Sequence, residues 1–407
     1  MRKLFKRFVI LFLLIGILNT FSFIFAEDTR KLYKNIEIFT QALHILKKSY
    51  VKDVSSEELI YGALKGMLSS LDSYSRFLTP EEYKELKVET KGEFGGLGIE
   101  ISIKDGLLTI ITPIEGTPAW KAGLKPGDII VKINDELTKN ITLDEAVKKL
   151  RGKPGTKVKI TILREKENMV KDFVITRDVI KIKDIKIAKI LEDKIAYVKL
   201  AEFREHTPEQ LDKILKELKS KGMQALILDL RNNPGGLLDS AIEVASRFVP
   251  YNTLVVYIQE RDPKKKIKYY SKYKKPLLDI PMVVLINKGS ASGSEIVAAC
   301  LQDTSRAVIM GRTSFGKGSV QTVLSLPDNS AIRFTTAYYY SPKGKKIQDV
   351  GVIPDIKIED KIPSFKETKS EEVFERIEEK KEEKLLRDYF ILRAVDLLKA
   401  ILIYKQK

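Results

Sequence analysis

The sequence predicts an open mixed α/β sheet with helices, an inserted β-rich module, and helical N- and C-terminal segments. Strands and helices alternate after Arg177, short β-like runs separated by Gly, Pro and Asp follow Gly92, and apolar residues recur at helical spacing near both ends. A chain of 407 residues, 43% of them hydrophobic, has room for two or three domains. The predicted divisions are residues 1–26, 27–91, 92–178, 179–360 and 361–407.

The first 26 residues have the layout of an export signal. Met1–Arg7 is basic, Phe8–Phe25 is apolar, and Ala26 is a small residue suited to cleavage. The apolar run is long for a cleaved signal and just long enough to span a bilayer, so a removed signal peptide and a retained membrane anchor both stay open. Either one predicts an exported protein in the periplasm or another extracytoplasmic space.

Charge and cysteine content narrow the classes of partner. Lys and Arg total 72 against 55 Asp and Glu, a formal charge of +17. The basic residues are scattered among acids and accompany no nucleic-acid motif, so solvated faces are favoured and no nucleic-acid partner is expected. Attraction to an anionic membrane surface stays open. The only cysteine, Cys300, lies in an apolar helical run, where packing is the favoured role.

The segment 27–91 is predicted to be helical. Thr79 is a good N-cap, and Pro80 suits the first position of a helix. The apolar residues that recur at helical spacing in this segment are Ile36, Phe39, Leu43, Leu46, Leu59, Ala63 and Met67.

The segment 92–178 is predicted to be a β-rich module. Three glycines just before its first strand let consecutive backbone amides turn toward one point and bind an anion such as a terminal carboxylate, although a glycine-rich entry to a hairpin is the commoner meaning. The predicted strands are Leu97–Ile103, Leu107–Thr112, Ile129–Ile133, Lys157–Arg164 and Val170–Thr176.

This module resembles a PDZ domain. Ile114–Asn134 is similar to the middle of that domain, and the resemblance implies that the strand after the glycines pairs with the C-terminal residues of a peptide. Trp120 departs from the family, which usually has a small residue there. The residues that match the carboxylate-binding loop are Gly96, Leu97, Gly98 and Ile99.

Residues 179–360 show the βαβ rhythm of an open sheet. The predicted helices are Pro208–Lys221, Ser240–Phe248 and Ser294–Gln302. The predicted strands are Ile195–Leu200, Ala225–Leu230, Thr253–Ile258, Met282–Ile286, Ala307–Met310, Gln321–Leu326 and Ala331–Tyr340. In the tail, Leu385–Ile403 returns to helical spacing, and its apolar face must pack either on the body or on a partner chain.

Ser292 is the candidate nucleophile. It lies between a predicted strand and a predicted helix, where the helix dipole and the amide of Gly293 favour a developing negative charge. As an alternative, Ser290, Ser292 and Ser294 are only capping residues. A histidine base is disfavoured, because both histidines, at positions 44 and 206, lie in stretches that indicate surface or packing roles.

Two further stretches complete the candidate site. Gly235 and Gly236 follow a buried strand in Asp229–Leu237, so a backbone amide there can face a cleft, although the stretch is also an ordinary strand-to-helix turn. Lys317 lies between two glycines, and in an extended segment it shares a face with Gln321, whose amide would orient the amine. A lysine acts as a base only when desolvation or neighbouring charges lower its pKa.

The chain resembles a carboxyl-terminal processing, or tail-specific, protease of the serine/lysine peptidase class. The resemblance implies Ser292 as nucleophile, Lys317 as general base and Gln321 as the residue that positions the lysine, with oxyanion donors at Gly293 and at Gly235 or Gly236. Gly293 replaces a frequent alanine, and Ser73 replaces a frequent proline. The matching stretches are Leu71–Tyr83, the PDZ-like module, Asp229–Gly236, Asn287–Glu295, Gly316–Gln321 and Tyr339–Ile356.

The resemblance also implies a substrate class and an assembly. It implies endoproteolysis near the C-termini of exported or misfolded proteins, with the PDZ domain selecting substrates with apolar C-termini or gating the site. It further implies homodimerisation through the terminal helical segments and no metal or organic cofactor. A non-hydrolytic PDZ chaperone or scaffold is the rival class, and it predicts the absence of one of the three catalytic residues.

Overall fold

The computed structural model describes residues 30–277, 280–358 and 388–405. The predicted signal peptide or anchor, residues 1–26, lies outside these ranges, as do residues 359–387 of the predicted core end and tail. Within the described ranges, no helix has both the length and the apolar character needed to cross a bilayer. The chain divides into two compact units, one made of the residues up to Thr79 together with Val323–Phe334, and the other made of the remainder.

The first unit begins with helices, as predicted. Helix α1 covers residues 30–49, and α2 covers Ser56–Ser69 after a capping box at Ser55. Strand β1, Arg76–Leu78, pairs antiparallel with Ala331–Arg333. The predicted apolar residues of α1 do not form a buried face in the described chain, because Ile36 and Phe39 are about half exposed.

The β-rich module lies in the second unit and follows helix α3, Pro80–Lys91, which begins at the predicted proline. Its strands β3, β4, β5, β7 and β8 form a sheet in that order, with β3 at one edge. Helix α5, Leu143–Leu150, packs on this sheet after a capping box at Thr142. The module's elements are β2 Glu93–Gly96, β3 Ile99–Lys104, β4 Leu107–Pro113, α4 Pro118–Lys121, β5 Ile129–Ile133, β6 Glu136–Leu137, β7 Lys157–Arg164, β8 Met169–Thr176 and β9 Asp178–Lys181.

The predicted first strand of the module starts too early. Leu97 and Gly98 precede β3, because Gly98 has φ +78° and its carbonyl accepts hydrogen bonds from Ile114 N (2.8 Å) and from Thr117 Oγ1 (3.1 Å). These two residues therefore form a turn between β2 and β3. The predictions for β5 and β7 have the observed bounds.

A second sheet forms the α/β core. Its order is β10-β11-β12-β15-β16-β19, in which only the β10–β11 pair is antiparallel. Strand β10 was not predicted. The strands are β10 Ile185–Ile190, β11 Ile195–Leu200, β12 Ala225–Asp229, β15 Met282–Ile286, β16 Val308–Gly311 and β19 Ile356–Lys357.

Helices cover both faces of this sheet. One face packs on α6 Thr207–Ser220, α7 Leu238–Ser246 and α8 Gly293–Asp303. The other face packs on α9 Tyr389–Lys405, which buries Ile391, Ala394, Val395 and Leu398. The apolar side of the predicted C-terminal helix thus packs on the body of the same chain. Its predicted start at Leu385 lies outside the described residues.

The remaining strands form a further sheet. In the second unit, β13 Leu254–Glu260 pairs with β14 Lys266–Tyr270 and with the final residues of β18 Ala331–Tyr340. Strand β17, Ser319–Ser325, also pairs with β18.

The parallel strands position the candidate site. The turns that carry Gly235, Ser292 and Lys317 follow β12, β15 and β16, which are neighbours in the sheet and run in one direction. The carboxyl ends of such strands meet at one edge, the usual place for a site in an open α/β sheet.

Candidate active site

Ser292 occupies a strained turn between β15 and α8. Its backbone has φ 52° and ψ −111°, and it stands at the N-cap position of a helix whose first residue is Gly293. For a residue other than glycine, this backbone conformation costs about 1–3 kcal/mol and persists only when the surrounding structure holds it. Backbone strain of this kind clusters at functional sites. Its side chain is nearly buried at 9% exposure.

The neighbouring serines differ from Ser292 in what their hydroxyls do. The Ser290 hydroxyl donates to Leu230 O at 2.8 Å, and the Ser294 hydroxyl donates to Asn233 O at 2.9 Å. The Ser292 hydroxyl lies beside the buried Tyr339 phenol. Burial raises the pKa of Tyr339 to about 12, and hydrogen bonding with Ser292 partly offsets that rise. Ser290 and Ser294 thus secure the turn, whereas Ser292 faces another side chain.

The glycine turn after β12 packs directly against Ser292. A Cβ atom on Gly235 would lie 2.7 Å from Ser292 Cβ and 2.8 Å from Gly293 N, so this approach requires glycine. The Gly235 amide donates to Asn233 Oδ1 at 2.9 Å and is therefore engaged within the turn. Among the described residues, the amides of Gly236 and Gly293 form no backbone hydrogen bond.

Asn233 links the glycine turn after β12 to the serine turn after β15. It was not among the residues predicted from the sequence. It is fully buried, and its carbonyl accepts from Ala291 N at 3.0 Å and from the Ser294 hydroxyl. Its side-chain amide donates to Leu200 O at 3.1 Å. The only sequence signal for it is its place in the Asn-rich turn after a buried strand.

Glu295 is a second residue whose role the sequence did not indicate. It is fully buried, and its carboxylate accepts four hydrogen bonds within the described chain. Burial raises the pKa of Glu295, and the four bonds oppose that rise. The donors are Ser292 N at 2.8 Å, Lys317 N at 2.9 Å, Gly316 N at 2.7 Å and the Ser314 hydroxyl at 2.5 Å. One carboxylate thus holds the backbone of both candidate catalytic residues.

The lysine segment is fixed on its other side as well. Gly318 N donates to Gln348 Oε1 at 2.9 Å, and Gly318 O accepts from Tyr339 N at 2.7 Å. A Cβ on Gly318 would lie 2.3 Å from Gln348 N, so the close approach requires glycine. Lys317 is half-buried, and hydrogen bonds hold the backbone of its segment on both sides of it.

Gln321 lies in β17 together with Ser319, and Lys317 lies two residues before the start of the strand. Gln321 Nε2 donates to Thr335 Oγ1 at 2.8 Å and to Ser319 Oγ at 3.3 Å. Its Oε1 atom is buried and has no hydrogen-bond partner among the described residues. A buried acceptor without a partner is uncommon in folded proteins.

The candidate peptide site is a groove between β3 and α5. Because β3 is an edge strand, its outer side is open to an added strand in the described chain. The amides of Leu97 and Gly98 form no backbone hydrogen bond among the described residues. Trp120 is exposed on α4 and does not line the groove. The lining residues are Phe94, Gly96, Leu97, Gly98, Ile99, Ile101, Val147, Leu150 and Arg151.

The two histidines and the cysteine have the surface and packing positions that the sequence predicted. His44 is exposed, and His206 lies at the surface between Glu93 and Glu209. Cys300 is fully buried in the core, and burial raises the pKa of its thiol to about 12, which makes it unreactive.

The sequence is similar to known peptidases over most of its length. The peptidase family S41 model matches residues 194–358, a PDZ-domain model matches 109–164, and the model of the activating protease CtpB N-terminal domain matches 24–81. The carboxy-terminal-processing protease of Bartonella bacilliformis is 41% identical over 341 residues, 83% of this chain and 78% of that protein. The carboxyl-terminal-processing protease of Synechocystis sp. is 36% identical over 335 residues, 80% and 77% of the two chains.

Among solved structures, the photosystem II D1 C-terminal processing protease is similar over 79% of this chain and 92% of that chain, with 30% identity and a TM-score of 0.45. The family-model matches define a serine peptidase with an inserted PDZ domain. The chain belongs to peptidase family S41, as a carboxyl-terminal processing peptidase. The predicted fold class, an α/β protease core with an inserted PDZ domain and helical terminal segments, is confirmed.

Proposed function

We propose that this peptidase cleaves exported or misfolded proteins near their C-termini, with Ser292 as nucleophile and Lys317 as general base. The observation that carries the proposal is the Glu295 carboxylate, which binds the amides of both residues and so fixes their backbones together. Effective catalysis needs the nucleophile and base held in one geometry before the substrate arrives. Burying a carboxylate is energetically unfavourable unless it is well hydrogen-bonded. Its use here, to join the two turns, is consistent with a need to hold a catalytic pair together.

The proposed reaction has two halves. Ser292 Oγ attacks the scissile carbonyl while Lys317 Nζ takes its proton, and Lys317 then gives the proton to the leaving amine. The resulting ester on Ser292 is hydrolysed by a water that Lys317 deprotonates. Gln321 Oε1, which has no hydrogen-bond partner among the described residues, is the acceptor proposed to bind and orient the lysine during the reaction.

The oxyanion of each tetrahedral intermediate is proposed to bind the Gly293 and Gly236 amides. The Gly235 amide is engaged by Asn233, so Gly235 contributes its small size and close approach to Ser292. Preorganised backbone donors of this kind are worth about 3–4 kcal/mol each in a transition state.

We propose that the PDZ groove holds the substrate tail. Leu97 and Gly98 amides bind the terminal carboxylate, β3 pairs with the tail residues, and apolar side chains enter the groove beside Ile99 and Val147. The domain then delivers substrate to the cleft or gates it.

The cellular location and the oligomeric state of the enzyme are also proposals. Residues 1–26 direct export to the periplasm or another extracytoplasmic space, with or without retention at the membrane. Homodimerisation is proposed through terminal helices, with α1 as the principal contact, since α9 uses its apolar side on its own sheet. The exposed apolar residues that support this are Leu32, Tyr33, Ile36, Ile38, Phe39, Ile45 and Leu46.

The test is cleavage of an unfolded protein by the wild-type chain and by Ser292→Ala, with the fragment masses mapped. The expected result is fragments cut near the C-terminus with the wild type and none with the variant. Binding of tails without any cleavage by the wild type would instead favour the PDZ scaffold.

A further inference from the structure

The C-terminal helix α9 is tied by ion pairs to the turn that carries the candidate oxyanion glycines. Asp388 precedes the helix and caps it, since its Oδ1 accepts from Phe390 N at 3.0 Å and from Ile391 N at 3.3 Å. The same carboxylate binds Arg231, with Nη1 to Oδ1 at 2.9 Å and Nη2 to Oδ2 at 2.9 Å. A two-point pair between guanidinium and carboxylate fixes direction as well as distance.

Arg231 in turn belongs to a buried charge network at the end of β12. Its Nη2 lies 2.7 Å from Asp229 Oδ2, and its own amide donates to Asp229 Oδ1 at 2.8 Å. The Asp229 carboxylate is fully buried and also accepts from the Tyr197 hydroxyl and from Lys199 Nζ, at 2.7 and 3.3 Å. The four charged groups, Lys199, Asp229, Arg231 and Asp388, sum to zero, so loss of Asp388 leaves a surplus positive charge in a largely buried place.

The network continues into the site through the residues that follow Arg231. Asn232 N donates to Asn287 Oδ1 at 2.9 Å, and Asn287 Nδ2 donates back to Asn232 Oδ1 at 2.9 Å. Asn233 then binds the Gly235 amide and the turn before Ser292. Arg231 is thus the first fixed point of the glycine turn. Two residues of the C-terminal segment contact it: Asp388 through its carboxylate, and Phe390 of α9, whose ring centroid lies 5.2 Å from the guanidinium carbon of Arg231.

We propose that Asp388 is a positioning residue for the reaction, through which the docked C-terminal helix holds the Asn232–Gly236 turn in its oxyanion-binding shape. The inference rests on the proposed function. Asp388 touches no substrate and acts through Arg231.

The test compares Asp388→Asn with Lys399→Gln in the full chain. Asparagine is a good N-cap, so Asp388→Asn keeps the start of α9 and removes the charge that faces Arg231. Lys399 is the matched control, because it anchors the same helix by ion pairs that do not involve Arg231. Its Nζ lies 2.7 Å from the Asp193 carboxylate and 3.1 Å from the Glu192 carboxylate. We expect Asp388→Asn to lower kcat about tenfold with KM within about twofold, and Asp388→Glu to restore part of the loss. Lys399→Gln is expected to change kcat less than twofold.

A second measurement does not depend on activity. Hydrogen exchange of the amides in residues 230–237 should be faster in Asp388→Asn than in the wild type and in Lys399→Gln. Unchanged exchange and unchanged kcat in Asp388→Asn would overturn the proposal, as would equal effects of the two variants. A wild-type chain that cleaves nothing would refute the proposed function, and the exchange result would still decide whether Asp388 holds the turn.

Discussion

The buried carboxylate of Glu295 accepts a hydrogen bond from the backbone amide of Lys317 at 2.9 Å, although the two residues lie on different segments of the core. The same oxygen, Oε2, accepts from Ser292 N at 2.8 Å. The backbones of the proposed nucleophile and the proposed base are therefore tied to one oxygen of a third side chain.

Glu295→Gln should lower both stability and activity. All four partners are donors, and the amide nitrogen of glutamine would face two of them, so one side of the cluster loses its acceptor. Hydrogen bonds to a charged group contribute about 1.5–3 kcal/mol each, so the loss of two predicts a decrease of about 3–6 kcal/mol in the free energy of unfolding and at least a tenfold lower kcat. Urea unfolding and cleavage rates measure the two effects.

Ser314→Ala is the graded control for that variant. It removes one donor to Glu295 and one acceptor for Val352 N, but leaves the bonds to Ser292 and Lys317. A smaller loss of kcat than in Glu295→Gln is expected. Equal losses would show that Glu295 acts through general stability.

Lys317→Arg should be inactive although it keeps the charge and approximate length of the side chain. A guanidinium stays protonated at all accessible pH values and cannot accept the serine proton. General base catalysis contributes about 10²–10⁴-fold, so cleavage should fall below about 1% of the wild-type rate. A variant with near wild-type kcat would place the base elsewhere in the chain.

Gly98→Ala should weaken recognition of the substrate tail. Gly98 has φ +78°, and a Cβ there would lie 2.4 Å from Thr117 Cβ, so the loop must shift. Gly106→Ala is the matched control, since Gly106 has φ +76° and open space around its Cβ position. The measurement is competition between free-acid and amidated peptides.

The wild type and Gly106→Ala should prefer the free acid with an apolar tail, and Gly98→Ala should lose that preference while it still cleaves. If the wild type cuts amidated and free-acid peptides at equal rates, the PDZ domain is not the reader of the carboxylate.

Asp229→Asn should change the pH dependence of stability. Burial raises the pKa of Asp229, but the hydrogen bonds and charge of Arg231 outweigh it, and the net pKa lies below its ordinary value. A group with a lowered folded pKa stabilises the fold above its unfolded pKa of about 4, and that stabilisation is lost as the pH falls through the folded value. The gap in unfolding free energy between wild type and variant should therefore be wide at pH 7 and narrow at pH 3. A gap that does not change with pH would refute the assigned direction.

The sequence predicted the elements whose burial follows a simple period. Met282–Ile286 and Ile195–Leu200 were predicted with their observed bounds because both are short, largely apolar runs of strand length. Strand β14 was not predicted, because Lys266–Tyr270 is a lysine-rich edge strand whose side chains are mostly exposed. Helix α9 was predicted from its spacing, but which apolar residues it buries depends on the sheet it meets.

The sequence placed the candidate site by motif but did not reveal its supports. Glu295 is three residues from Ser292, yet three of its four partners come from the segment 314–317, and such pairing is set only by the fold. Asn233 and Tyr339 were missed for the same reason. Asn233 reaches the serine turn from the turn after β12, and Tyr339 reaches it from β18, and neither local sequence indicates that direction.

Covalent labelling of the nucleophile tests the central claim most directly. The wild-type chain would be treated with a fluorophosphonate that reacts with activated serines, and the adduct would be located by fragment mass spectrometry. Three serines lie within five residues, at positions 290, 292 and 294, so the measurement must resolve them. We predict one adduct, on Ser292, that is absent from Ser292→Ala and strongly reduced in Lys317→Arg. An adduct on another serine, or cleavage of an unfolded protein by Ser292→Ala at the wild-type rate, would contradict the account.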